Sequence, residues 1–564
     1  KAGMLWLRNR KNERVGGVQP GDLQFNQTGN TNSTGNALLD TLLGNYRQYR
    51  ETDVDKWSYI RYSQVEAYIA DTWKVRPNLT LDIGVRYSHL GAPYEIGNTL
   101  ATFVPSAFDP AKAQQVIPSG AGAGELRPGV GQPYNGIVVG GDEYAQAHRT
   151  PSDPLAQNLF RNLPRSIMDS QNKFSPRFGF SWDPFSKGDF VLRGGGAVYY
   201  DRLSLIAVTA GGNPPFSNTV TLFNGNIDNL SSGRLASFPV SVTSINPDAT
   251  FPTTYNWNLG IQKKLPFDAL LDVNYVSTQG RHLLRRPDIN QVTPEVQARN
   301  PSVNINALRK YQGYTSISLW EPSAASNYHG LQTGLTRRYS KDLTLSIAYT
   351  WSKVLTDASS DTSGVENLLD YRSERSHASF DRNHIFTATF VYHLPFFRGQ
   401  EGLFGKLLGG WELTGLIQAQ SGAWLTPSIT TATGARRPDL VGRVTYLDPR
   451  EVQTLMGGNN QPVTGNFYFD PTPGQLFATP PANRYGTSGP NVIRGPGRHN
   501  WDVSLFKNIK ASEKFNLQFR AEAFNVWNHA SSRNPNVNAS SRDFGTIADA
   551  GSPRLIQLAL KLVF

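Results

Sequence analysis

"KFNLQFRAEAFNVWNH", residues 514–529, places Phe515, Leu517, Phe519, Ala521 and Ala523 in alternation with Asn516, Gln518, Arg520 and Glu522. Side chains of a strand point to opposite faces with a period of two. The segment therefore reads as a strand with one oily face and one strongly polar face. A soluble sandwich buries the oily face and wets the polar one. A membrane barrel turns the oily face to lipid and the polar face to an aqueous interior. The rest of the chain decides between them.

The same pattern recurs. "LTLSIAYTWSK" (343–353) sets Leu343, Leu345, Ile347, Tyr349 and Trp351 against Thr344, Ser346, Ala348, Thr350 and Ser352. "TTYNWNLGIQKKL" (253–265), "NLTLDIGVRYS" (78–88) and "RLIQLALKLVF" (554–564) behave alike, and their oily faces often finish in Tyr or Trp. About fourteen segments of roughly ten residues carry this signature, which is the length and alternation of membrane-crossing β-strands.

The connections alternate in length. Short ones are expected at 76–78, 183–189, 265–269, 339–342 and 507–514, with one longer member at 395–410. Between them lie long stretches rich in Gly, Pro, Asn and Ser, at 91–171, 202–251, 280–326, 355–381, 425–497 and 529–552. Compact soluble domains rarely hold structureless loops beyond about 12–15 residues. Outer-membrane barrels have short periplasmic turns and long extracellular loops. That assignment gives a consistent up-and-down path, with Lys1 entering an upward strand and Phe564 at the periplasmic rim.

Composition agrees. Of 564 residues only 38% are hydrophobic, yet 29 are Phe, 23 Tyr and 11 Trp, with 52 Gly and 36 Pro. Aromatic bands, thin sheets and polar loops suit that balance better than a deep aliphatic core. The absence of Cys excludes thiol catalysis, Cys-ligated zinc and disulfide staples. The net charge of +11 carries no long run of like charge, so it reads as a basic solvated surface or as girdles beside anionic lipid, not as a nucleic-acid arm. No stretch of about 18 apolar residues occurs, so no transmembrane helix is expected. In hydrocarbon, backbone polar groups must pair within the protein, which leaves a closed barrel. The fold class expected is an all-β, transmembrane antiparallel β-barrel over residues 1–564.

Catalysis finds no support. The nine His are scattered and "RGGGAVYY" (193–200) lies within a strand pattern rather than before a helix that would bind phosphate. Asp357, Asp361 and Glu366 match no calcium-loop spacing and read as solvated loop carboxylates. No cofactor and no metal are expected. On the polar faces, Asp82, Arg86, Asn516, Gln518, Arg520 and Glu522 are candidates for the lumen, either contacting an occupant or lining water. Tyr134, Tyr144, Trp320, Trp424 and Tyr468 fall in long connections and suit stacking on a ligand or packing of the loops on themselves. Trp73, Trp351, Trp411, Trp501 and Trp527 near strand ends suit an interfacial belt.

"RGPGRHNWDVSLFKNI" (494–509), "NLQFRAEAFNVWNH" (516–529) and "FGTIADAGSPRLIQLALKLVF" (544–564) resemble the end of TonB-dependent receptors, in particular the Oar-like group of Acidobacteria and relatives. "LLDTLLGNY" (38–46), "SQVEAYIADTWKVRPNLTLDIGVRY" (63–87), "FSPRFGFSWDPF" (174–185) and "HGLQTGLTRRYSKDLTLSIAYTWSK" (329–353) are similar to the middle of the same barrels. The resemblance implies a 22-stranded barrel of which this chain carries the last fourteen strands, with a plug and an N-terminal domain that are not seen here. It also implies residence in the bacterial outer membrane, uptake of a ligand captured by extracellular loops, a periplasmic TonB-type coupling protein as partner, and Phe564 as the terminal aromatic read by the barrel-assembly machinery. Siderophore, glycan fragment, peptide and cobalamin all remain open as ligands. The alternative is a structural or adhesive outer-membrane barrel, or a subunit of an envelope assembly, without transport.

Overall fold

The computed structural model describes residues 1–14, 21–52, 55, 57–141, 158–160, 163–203, 212–340, 342–431, 434–510 and 515–563. One large sheet dominates. Its long strands are β1 (Ala2–Arg14), β2 (Trp57–Arg76), β3 (Leu79–Leu90), β4 (Gln171–Trp182), β5 (Phe190–Tyr200), β6 (Thr253–Leu265) and β7 (Ala269–Arg285), followed by β8 (Tyr314–Ser340), β9 (Leu343–Thr356), β10 (His384–His393), β11 (Trp411–Gln420), β12 (Arg498–Lys510), β13 (Asn516–Phe524) and β14 (Leu555–Val563). Each pairs antiparallel with the next in the chain. A pure meander needs only hairpin connections, and those are what the sequence supplies.

Register keeps the two faces separate across the sheet. Thr72 lies opposite Asp82, Asp82 opposite Gly179, Gly179 opposite Gly195 and Gly195 opposite Asn258. Farther round, Asp272, Gly334, Ala348, Thr387, Gln418 and Asn500 form another row on the same face. The other face runs through Leu259, Tyr275, Leu331 and Trp351. A one-residue slip in any strand would exchange the two rows, so the pattern fixes the register.

The oily row is not sandwiched against a second sheet. Trp6, Ile69, Phe174 and Leu560 are 68%, 64%, 63% and 68% exposed. In water such a band would be a gross liability. Against acyl chains it is the solvated face.

Turns alternate as expected. Pro77 and Asn78 join β2 to β3, residues 183–189 join β4 to β5, and 266–268 join β6 to β7. In the second of these, the Gly188 amide donates to Asp183 Oδ2 at 2.7 Å and closes the turn. At the opposite end β7 and β8 run on past the membrane-length segment, to 17 and 27 residues. The long connection expected over 280–326 is therefore shortened to 286–313, because the β7–β8 ladder continues through register shifts after Gly280.

The long connections also differ from the structureless loops expected. They hold the hydrophobic clusters of the molecule. One gathers Leu100, Ile167, Leu203, Ile245 and Phe251 with Ile60 and Trp320 from the strands. A second centres on Phe103, Val139, Tyr311 and Ile317, and a third on Phe469, Phe477, Ile493 and Phe544.

Among the described residues no pairing joins β1 to β14, so the sheet has two free edges.

Ile347 lies on the oily face between Leu335 and Ala388, and Ala348 on the polar face between Gly334 and Thr387, both well inside β9. Ile347→Arg is expected to cost about 2–4 kcal/mol in an unfolding titration from lipid vesicles, as for a cation at the bilayer midplane, while Ala348→Arg stays near wild type. Equal costs for the two would contradict the assignment of faces.

Candidate functional site at the mouth of the sheet

β7, β8 and β9 rise beyond their neighbours and carry the connections that meet above the polar face. There a cavity of about 630 Å³ opens between the ends of these strands and the segments that follow β5 and β9. Its wall includes Arg202, Tyr328, Thr356, Ser360, Asp361 and Phe380. A second cavity of about 470 Å³ shares Thr356, Ala358, Ser359 and Ser360 with the first and reaches Glu366, Glu374 and Arg437. The pair is rich in hydroxyls, with two aromatic rings and charge of both signs. Such a mixture can orient a polar organic molecule while shielding one apolar side of it.

Two charge clasps hold this mouth. Asp357, just after β9, accepts from the Arg285 guanidinium at 3.2 Å, from Arg375 at 2.8 Å and from the Ala325 amide at 3.1 Å. Arg285 is buried, lies 4.7 Å over the Tyr371 ring, and has Nε and Nη1 without a hydrogen-bond partner among the described residues. Burial, and then the neighbouring Glu321, push the Tyr371 hydroxyl up to about 12. The second clasp is Arg437, whose two terminal nitrogens donate to Glu374 at 2.8 Å each while Nε pairs with Glu366. It joins the connection after β9 to the one after β11. Bidentate pairing of this kind fixes geometry as well as charge.

The sequence-derived candidates divide. On the polar face, Asp82 accepts from the Thr72 hydroxyl at 2.6 Å, and Arg86 pairs with the buried Glu66 at 2.6 Å, which also accepts from Ser88. On another wall, Gln518 donates to Asn508 at 2.7 Å and Arg520 Nε to Gln518 at 2.7 Å, with Arg520 5.4 Å over the Phe506 ring. Asn516 Oδ1 is buried without a partner among the described residues. Glu522 faces Gln557 and Ser504 in register. The structure thus brings Asn516, Gln518, Arg520 and Glu522 together, and keeps them apart from Asp82 and Arg86.

Of the loop aromatics, Trp320 is a correction. It lies in β8, 2% exposed within the first hydrophobic cluster, and is spent on packing. Tyr134 packs against the second cluster. Tyr468 meets Tyr446 edge-on at 5.3 Å, and burial pushes its hydroxyl up to about 12. Trp424 stacks on His377 at 4.1 Å and lies 5.9 Å under Arg494. Tyr144 and Phe564 lie outside the described residues. Asp357 and Glu366 are also corrected: they are not solvated loop carboxylates but the acid halves of the two clasps. Arg285 and Arg437 lie 72 and 71 residues from their acid partners and Arg375 lies 18, and no local pattern announces them. Among the described residues, no cluster suited to a metal ion is present.

A family model described as "Outer membrane beta barrel domain" matches residues 1–557. No curated protein matches. Among solved structures, the chain is similar to the outer membrane transporter YddB from Escherichia coli, at 11% identity and a TM-score of 0.47, covering 100% of this chain and 50% of that one. It is similar to the ferric-catecholate import receptor Fiu from Escherichia coli K12, at 10% identity and 0.41, covering 92% and 50%. It is likewise similar to the ferric enterobactin receptor PfeA from Pseudomonas aeruginosa, at 11% identity and 0.40, covering 100% and 67%. The chain spans about half the length of the first two.

Arg437→Ala is expected to leave Glu374 and Glu366 uncompensated and to weaken the clasp locally by about 3–5 kcal/mol. Amide exchange should accelerate through 366–378 and 434–440 while the β-ladders keep their protection. Unchanged exchange there would show that the clasp holds nothing.

Proposed function

The chain belongs to the outer-membrane β-barrel domain family, and from that premise we propose that it is the barrel portion of a TonB-dependent receptor of the Oar-like kind. Long extracellular loops capture a ligand at the twin cavities above β7–β9. A plug, gripped by the polar face, blocks the way beneath. A periplasmic TonB-type coupling protein draws the plug aside and the ligand passes.

The observation that carries this reading is that, among the described residues, β1 and β14 have no partner on their outer edges. Unpaired backbone amides and carbonyls cost several kcal/mol each in hydrocarbon, so β1 and β14 need strands beside them. Eight more, beyond these fourteen, complete the 22-stranded barrel that the resemblance implies. A barrel of that size has a lumen wide enough to need a plug. The row Asn516, Gln518, Arg520 and Glu522, with Asp82 and Arg86 on another wall, is the surface offered to the plug. Phe564, which follows β14 in the sequence, is the element offered to the barrel-assembly machinery. The lining of the cavities, with hydroxyls, Arg202 and Asp361, fits a polar ligand and leaves its class open.

The test is a density map of the complete protein purified from outer membranes, with sucrose permeability of proteoliposomes measured beside it. The expected result is a barrel with strands between β1 and β14, a filled lumen and no sucrose flux. A closed fourteen-strand ring with an open lumen and free flux would overturn the proposal.

A further inference from the structure

The connection between β10 and β11, residues 394–410, is longer than the other turns at its end of the sheet, and the receptor reading gives it no task. It contains a short helix, Gly402–Leu408, preceded by Phe396 and Phe397. Leu403, Phe404 and Leu407 are 80%, 71% and 63% exposed, and Phe396 and Phe397 more than half exposed.

Where this helix sits follows from Lys507. In β12, Lys507 lies between Leu505 and Ile509 on the oily face, in register with Trp411 and Phe519. An outward lysine there should be bare, yet it is 5% exposed. The turn covers it. Lys507 Nζ donates to the Gly409 carbonyl at the helix C-terminus, and the ammonium lies 5.3 Å over the Trp411 ring. A cation at that end also meets the negative pole of the helix. Gln400 Nε2 donates to the Asn508 carbonyl at 2.9 Å, and the Trp411 indole donates to the Leu407 carbonyl at 3.2 Å. The seat is close-fitting: a Cβ on Gly409 would stand 2.1 Å from the Phe397 carbonyl oxygen. The helix is therefore strapped to the outside of the sheet, at the short-turn end, with its apolar side turned away from the protein.

We propose that residues 394–410 form an interfacial anchor whose apolar side, Phe396, Phe397, Leu403, Phe404 and Leu407, is embedded in the phospholipid leaflet at the short-turn end of the barrel. The occupant is lipid because the turn lies over Lys507 on the oily face of β12, on the exterior and not beneath the lumen, and its apolar side is exposed beside that face. The exposed Lys406 beside it suits the phosphate level of that leaflet. Helices with one apolar side and cationic flanks lie in this zone with the apolar face a few ångströms below the headgroups.

The chain has no cysteine, so a single introduced thiol is unique. Leu407→Cys, Lys406→Cys and Ser186→Cys, each carrying a bimane label, are reconstituted as the complete protein in phosphatidylcholine–phosphatidylglycerol vesicles. Folding is verified by heat-modifiable migration on gels, and Leu403→Cys replaces Leu407→Cys should that variant not fold. Lipids brominated near the headgroup are expected to quench the label at 407 at least about threefold more than the label at 186, and aqueous iodide to show the opposite order, as for an interfacially embedded helix. The label at 406 should remain open to iodide. Iodide reaching 407 as readily as 186 would overturn the proposal and leave the patch free for a periplasmic protein.

Discussion

Hydrocarbon offers no partner for an amide or a carbonyl, and this constraint organises the whole molecule. A chain without a sufficiently apolar helix can meet it only by pairing strand to strand. The consecutive antiparallel ladders from β1 to β14 do so for every strand but the outer edges of the first and last. Once the ladder is set, alternation does the rest. One side chain in two faces lipid and the next faces the interior, so the oily content of the chain can be modest while its exterior is strongly apolar. The protein is accordingly an outer-membrane barrel protein of low overall hydrophobicity.

The two ends of the sheet solve different problems. At one end the turns are short and are closed by local bonds, such as that of Gly188 to Asp183. At the other, long connections must pack on themselves, and the buried aromatic and aliphatic side chains accumulate there rather than inside the barrel. Apolar clusters fix the bulk of each lobe. The clasps of Asp357 with Arg285 and Arg375, and of Arg437 with Glu374 and Glu366, fix how neighbouring connections meet. The twin cavities lie beside these clasps, so any ligand that displaces an arginine would alter two connections together.

Much of this was legible in the sequence. Period-two alternation located strands such as 343–353 and 516–524, because the pattern arises from the local geometry of a single strand. Turn lengths followed from the Pro, Gly, Asn and Asp between oily runs. What resisted reading depends on distant partners. Trp320 appears as a loop aromatic until the distant residues Leu100, Ile167 and Ile245 are brought over it. Asp357 and Glu366 look solvated until Arg285 and Arg437 arrive from far along the chain. Lys507 falls in the short connection expected at 507–514, but β12 runs on to Lys510 and the turn at 394–410 folds across Lys507. The extension of β7 and β8 was hidden because their upper parts mix polar and apolar residues above the membrane, where lipid no longer enforces the alternation.

The central claim is that oily rows face lipid and polar rows face the interior. The most direct measurement is a cysteine scan of residues 516–523 in the reconstituted protein, each thiol carrying a bimane label, with lipids brominated along the acyl chain. Positions 517, 519, 521 and 523 should be quenched, and 516, 518, 520 and 522 should be spared, giving a period of two. Uniform quenching, or the inverse order, would contradict the account.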